Sequence, residues 1–461
     1  MDGLQWRSLA PLPKLLLQHD GNPSLGQGEE HAQLLQALDS GSVSLVLGPS
    51  QTAEGSVLVA GLGQRLVVLG LGDGAHDLAF DTVLTEPERI TSLAVMERDP
   101  GAKSTQPAAI LVGTSAGFLQ LHSPDARLVL RQALHDRALL SLSARSCDAG
   151  VGVPHALATF ENAVARVAGW DVAAAMQWRA RSWSMAGWGG GSEPPALDVA
   201  KWTLGRGVGP RAAALCGPAV APSLHAELAR RCAGAAPPPP PALRLLTAGA
   251  APPVASFAAP EQPGARDLAR RAAGAARGAA ARLAASAQAR LPPALARATA
   301  RAAGAAGEEA ALPRGTRVVA LTHVWDAKRV VHSLAASFCG QWALGCDSLG
   351  RVLLIDVATS LVVVMLKGYR AAQAAWMEWP AGGSRGPAPG SSVPVIYAPR
   401  KGVLEVWAPD LRARLAVLRG VGPRGVLLSP RPRGAALWFA DLDALRCADV
   451  APALVSAATC G

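Results

Sequence analysis

Only two tyrosines and six phenylalanines occur among 461 residues, and the seven cysteines are odd in number and scattered. No two cysteines stand as C-x-x-C, so neither a disulfide framework nor a zinc site is expected, and a reducing compartment fits better. No apolar run approaches the ~18 residues needed to cross a bilayer. The first thirty residues interleave Arg7, Lys14, His19, Asp20 and Glu29 with short apolar pieces, which leaves no signal-peptide core. Nor does the chain contain G-x-x-x-x-G-K-[ST] or H-E-x-x-H, so nucleotide hydrolysis and zinc-protease chemistry have no candidate residues. No cofactor and no metal are expected. A soluble protein follows, with any membrane contact peripheral.

Acidic residues are nearly missing from one stretch. Between Arg266 and Arg301 eight arginines face a single acid, Asp267, so this segment holds +7 of the formal net charge of +10. The rest is close to balanced, which argues against a folded basic groove and against nucleic acid as a partner. With only Leu268, Leu283, Leu291 and Leu295 as bulky apolar residues, the segment shows no clean apolar helical face and reads as a flexible or loosely helical linker.

What is present is strand-like texture with glycine turns. Trp342–Cys346, the turn Asp347–Gly350, Arg351–Val357 and Leu361–Leu366 follow each other through very short connections, which forces antiparallel neighbours. The theme recurs at 394–418, at 108–133 and, more loosely, at 56–69. Val352, Leu353, Leu354 and Ile355 are apolar without alternation, so both faces of that strand must be covered. Stacked propeller blades supply such an environment, and separations of roughly 40–50 residues suit them. The expected fold is all-β, a WD40-like β-propeller of about seven blades. Residues 1–217 form its first part and 318–461 the remainder. Between them, Pro237–Pro241 opens an Ala/Pro/Arg-rich composition that marks 218–317 as a partly helical or disordered insertion.

Two short motifs invite enzymatic readings. Gly113-Thr114-Ser115-Ala116-Gly117 matches G-x-S-x-G, but the following residues Phe118–His122 read as a strand, where a nucleophile elbow needs a helix. Gly70-Leu71-Gly72-Asp73-Gly74-Ala75 matches a dinucleotide-binding turn, yet no helix long enough to face a pyrophosphate follows before Pro87. Both read as blade turns.

Two blocks are specific enough to carry a family resemblance. One runs from Asp347 through Ala358 and continues into Lys367-Gly368-Tyr369-Arg370-Ala371-Ala372-Gln373 and Trp376; the other is Val395–Trp407, containing Tyr397-Ala398-Pro399-Arg400-Lys401-Gly402. Both resemble the regulatory, non-catalytic subunit of the Rab3 GTPase-activating complex, and both tyrosines of the chain fall inside them. Fainter similarity extends over about 43–217 and 326–450, including Val112–Phe118 and Lys201-Trp202.

The resemblance implies a propeller in the N-terminal part, a heterodimer with a separate catalytic subunit, and action on Rab GTPases of the Rab3 and Rab18 type. It also implies a cytoplasmic protein working peripherally at endoplasmic reticulum or vesicle membranes, and no catalysis of its own. A generic propeller scaffold in membrane trafficking, with other protein partners, stays open as the alternative. Lys367, Tyr369 and Arg370 follow a strand where a blade exits to a loop, and Arg400 and Lys401 lie at a hairpin tip. These five are the candidate partner-binding residues, against the plainer reading of a solvated loop whose tyrosine ring caps the blade edge. Trp407 is expected to pack between blades, and Asp356 to accept backbone N–H groups at its turn.

Overall fold

The computed structural model describes residues 7–10, 43–49, 56–71, 78–84, 88–96, 109–145, 154–184, 196–205, 207–218, 242–260, 312–379, 391–422, 425–428, 436–441 and 445–449. Within them the strands assemble into seven sheets.

Strand β1 (Arg7–Ala10) is set apart from its neighbours in sequence. Blade one is β2 (Val43–Pro49), β3 (Ser56–Leu62), β4 (Arg65–Leu71) and β5 (Leu78–Val83); blade two is β6 (Ile90–Met96), β7 (Ala109–Thr114), β8 (Phe118–His122) and β9 (Leu128–Ala133). Blade three contains β10 (Ser141–Arg145), β11 (His155–Thr159), β12 (Ala163–Ala168) and β13 (Val199–Thr203). Blade four begins with β14 (Pro210–Pro218), β15 (Ala242–Gly249) and β16 (Val254–Pro260). The chain then returns to add β17 (Gly315–Arg317) to blade three, parallel to β13, and β18 (Ala320–Val324) to blade four.

Blade five is β19 (Val331–Ala336), β20 (Trp342–Asp347), β21 (Arg351–Asp356) and β22 (Leu361–Lys367). Blade six is β23 (Gln373–Glu378), β24 (Ser392–Ala398), β25 (Val403–Trp407) and β26 (Arg414–Arg419). Blade seven joins β27 (Gly425–Leu428), β28 (Ala436–Asp441) and β29 (Leu445–Asp449) to β1, which pairs antiparallel with β29. First strands of successive blades touch all the way round, and β27 packs against β2, so the ring closes. The fold is a seven-bladed β-propeller.

The unbroken apolar run of β21 shows why blades stack. Val352 and Leu354 join a core shared with Trp376, Ile396 and Trp407 of blade six, while Leu353 and Ile355 join one with Leu246 and Val254 of blade four. Each face of the strand thus has its own apolar partner. Trp407 packs between blades as its position implied, and Asp356 Oδ1 accepts the Ala358 N–H at 2.9 Å.

The stretch 218–317 needs correction. Its composition marked an insertion, yet β15 and β16 are the two middle strands of blade four, and β17 lies inside it as well. Ala-rich strands are unfavoured by intrinsic propensity, but Leu243, Leu245, Ala255 and Phe257 are buried between blades, and that packing overrides it. Residues 219–241 and 261–311, including the arginine-rich segment, lie outside the described residues. A second feature absent from the sequence reading is helix α1 (Gly169–Ser184), inserted between β12 and β13. It buries Val172, Ala175 and Met176, spaced i, i+3, i+4, against a core that includes Leu111 and Leu119.

A hydrogen bond recurs around the ring. A residue one or two positions after a blade's fourth strand donates its N–H to a carbonyl in the hairpin between the second and third strands of the same blade: Leu84 to Gln64 (2.8 Å), Leu134 to Gly117 (3.1 Å), Leu204 to Asn162 (2.9 Å), Tyr369 to Gly350 (2.8 Å) and Val421 to Gly402 (3.3 Å). All five donors are buried. Each latch needs a hairpin that brings its carbonyl against the connector. Gly117 does so at φ +82°, where an added Cβ would stand 2.1 Å from the His135 carbonyl oxygen.

Gly117→Ala is therefore expected to destabilise far more than Gly368→Ala, whose φ is also left-handed but whose surroundings are open. The latter should cost about 1–2 kcal/mol, read from urea midpoints; equal effects would show that the close approach does not matter. Removing 237–312 takes out β15 and β16 together, so that variant should lose soluble, cooperatively unfolding protein, assayed by circular dichroism and size exclusion.

Candidate interaction face

The predicted residues gather at one end of blades five and six, the end that carries the latched hairpins. In the first hairpin the buried Asp347 turns its Oδ1 to the N–H groups of Leu349 (3.0 Å) and Arg351 (2.8 Å). Its other oxygen pairs with Arg329 at 3.4 Å, and Arg329 also holds Asp326 at 3.2 Å. Ser348 exchanges bonds with Val330: its N–H reaches the Val330 carbonyl (2.8 Å), and its Oγ accepts the Val330 N–H (3.2 Å). Asp347 and Ser348 thereby fix the turn before any side chain points outward.

Ser115 plays the same part in blade two. Its Oγ accepts the Arg89 N–H at 3.0 Å and its own N–H bonds the Arg89 carbonyl at 2.9 Å. Strand β8 follows directly, so the G-x-S-x-G match is a copy of the blade-five turn and its hydroxyl is engaged in holding that turn. Of the other glycine motif, residues 72–75 lie outside the described residues.

Tyr369 is where the expectation of an exposed hot spot fails. It fills the latch position occupied elsewhere by Leu84, Leu134, Leu204 and Val421, and it is only 7% exposed. Its Oη donates to Glu405 Oε2 at 2.7 Å, an oxygen that also accepts Trp407 Nε1–H at 3.0 Å; Glu405 Oε1 takes Arg414 Nη1 at 3.2 Å. Burial first, then the bond to and the charge of the Glu405 carboxylate, raise the Tyr369 pKa well above the usual phenol range, so the group stays a donor. The ring packs at the seam of blades five and six, in a core with Leu354, Trp376 and Trp407.

The centre built on Glu405 was missed in the sequence, although a single carboxylate inside Val403-Leu404-Glu405-Val406-Trp407 was its signal. Blade two repeats it. Gln120 and His122 stand as far beyond Gly117 as Glu405 and Trp407 stand beyond Gly402. Gln120 Nε2 donates to Glu88 Oε2 at 3.0 Å, and Arg131 pairs with Glu88 Oε1. His122 contacts Gln120 Oε1 at 3.0 Å through Nε2 and the Ala126 carbonyl at 3.0 Å through Nδ1. Burial lowers the His122 pKa, so the ring is neutral at physiological pH.

The remaining candidates are exposed. Lys401 places Nζ 3.6 Å from the Tyr369 ring centroid, a cation–π contact that ties the blade-six hairpin to the blade-five connector. Arg370 lies across Gly350, where an added methyl would stand 2.6 Å from its Cγ. Lys367 faces Arg351 across β21 and β22, and Arg400 stands in a 3-10 turn (Pro399–Lys401) ahead of Gly402 at φ +61°. Lys328 and Leu349 belong to the same end, beside the Ser348–Val330 lock.

The family model described as the Rab3 GTPase-activating protein regulatory subunit N-terminus matches residues 49–421. Among solved structures, the chain described as BBS1N in complex with ARL6DN superposes with a TM-score of 0.51 at 9% identity, covering 88% of this chain and 91% of that one. The WD40 β-propeller domain of Doa1 gives a TM-score of 0.43 at 10% identity, with coverages of 88% and 90%.

Tyr369→Phe removes one O–H donated to a buried carboxylate and is expected to lower stability by about 1.5–3 kcal/mol. Tyr369→Ala should cost about 3–5 kcal/mol. Urea unfolding followed by tryptophan fluorescence measures both, and an unchanged midpoint for Tyr369→Phe would show that the bond to Glu405 contributes nothing.

Proposed function

The chain belongs to the Rab3 GTPase-activating protein regulatory subunit family, and on that premise we propose that it serves as the non-catalytic subunit of a Rab GTPase-activating complex. In this reading it binds the catalytic subunit and a Rab GTPase of the Rab3 or Rab18 type, and works peripherally at endoplasmic reticulum or vesicle membranes. The carrying observation is the family match across residues 49–421, which takes in all of blades two to six. Support also comes from the chemistry of the candidate face: Lys367, Arg370, Arg400 and Lys401 are exposed, and they stand on or beside turns held by internal hydrogen bonds. Tyr369 contributes from beneath, by holding the Lys401 cation over its ring.

An arginine finger would be the expected device for accelerating GTP hydrolysis. The family's division of labour gives that role to the other subunit. The purified chain should therefore leave the GTP hydrolysis rate of Rab3 and Rab18 unchanged when alone, and alter it when mixed with the catalytic subunit. Single-turnover hydrolysis and co-purification of the two subunits measure this. Stimulation by the chain alone, or failure to co-purify at micromolar concentration, would overturn the proposal.

A further inference from the structure

Charge is divided between the two ends of blades five and six. At the latched end stand Lys328, Arg351, Lys367, Arg370, Arg400 and Lys401, and none of them has a carboxylate within ion-pair distance among the described residues. The acids nearby, Asp326 and Asp347, are both engaged by Arg329. At the opposite end, the described residues mix Asp356, Glu378 and Asp410 with Arg412 and Arg414, and Arg412 pairs with Asp410.

Part of this arrangement works against the sheet. Arg351 and Lys367 are direct cross-strand partners, an arrangement of like charges that weakens a sheet. Amid the cations Leu349 is 43% exposed at a hairpin tip. An apolar point ringed by unpaired cations is the anatomy of half an interface.

We infer that this end of blades five and six is a docking surface for an acidic patch on a folded protein partner, with Leu349 entering an apolar contact at its centre. The inference rests on the reading of the chain as a regulatory subunit and names the chemistry of the surface that meets it. A folded partner is favoured over an anionic bilayer because two of the cations, Lys401 and Arg370, are held in place and the turn they flank is fastened. Lys401 is held over a ring that is itself bonded to Glu405, Arg370 lies on Gly350, and the turn between them is fastened by Asp347 and Ser348. A lipid surface asks only for net charge, whereas fixed cations match carboxylates at fixed positions and lose little freedom on binding.

The test uses the full chain against the immobilised catalytic subunit and, separately, against GTP-loaded Rab3 and Rab18. For one of these the association rate should fall about tenfold or more as NaCl rises from about 0.05 to about 0.3 M. The combined Lys328→Glu, Lys367→Glu and Arg400→Glu variant should associate at least about tenfold more slowly at low salt, with an unchanged unfolding midpoint. The corresponding Gln variant should fall between it and the parent, and Arg412→Glu, at the opposite end, should bind as the parent does. Parental binding by the Glu variant overturns the inference while leaving the regulatory reading intact. Absence of binding by the parent chain to all three proteins overturns the reading and the inference together. Unchanged protein binding, combined with loss of capture by vesicles of about 30% phosphatidylserine, assigns the surface to membrane and also overturns it.

Discussion

A blade of a propeller is a hairpin meander whose last strand must be led back to the axis to begin the next, and the bond between connector N–H and hairpin carbonyl governs that return. Five blades make it with the same geometry, and each donor side chain is buried at the seam. Because an orphaned buried N–H is costly, the latch sets both the depth of the connector and the shape of the hairpin that receives it. The left-handed glycines, the Ser348 and Ser115 locks and the carboxylate of Asp347 all serve to present that one carbonyl. The cationic side chains can stand proud of the surface because the backbone beneath them has no freedom left.

Hairpin strands with short turns were legible in the sequence, since period, turn residues and apolar runs all pointed the same way. Blade five agrees with its sequence-based boundaries within a residue at the ends of its last three strands. Leu243, Leu245 and Phe257 were not legible as strand residues, because alanines and a polyproline run surround them and only the neighbouring blades make them a core. Helix α1 was missed for a related reason: its apolar positions are few, and Val172, Ala175 and Met176 acquire meaning only when blades two and three close over them.

At the candidate face the residues were legible and their depth was not. Tyr369 looked like an exposed anchor because its neighbours Lys367, Gly368 and Arg370 are loop-like. Its burial follows from a repeat in which the equivalent positions are leucine or valine, a correspondence that emerges once the hairpins are aligned by the residue just before each third strand. Glu405 likewise looked incidental. Surrounded by apolar neighbours, it holds a phenol, an indole and a guanidinium at once, and a buried carboxylate with those partners is held where an unpaired one would be excluded.

The closing of blade seven by β1 and β29 has a consequence for biosynthesis. The partner of β1 is made only with residues 445–449, so the backbone groups of β1 wait unpaired while the intervening blades are made, some tens of seconds at about 5–20 residues per second. During that interval the blades already formed compose an open arc, with one apolar flank of blade one and one of the newest blade facing water. Such a chain needs shielding from its own kind until the ring shuts. Quality control that senses an open arc would therefore respond to whether blade seven has met blade one.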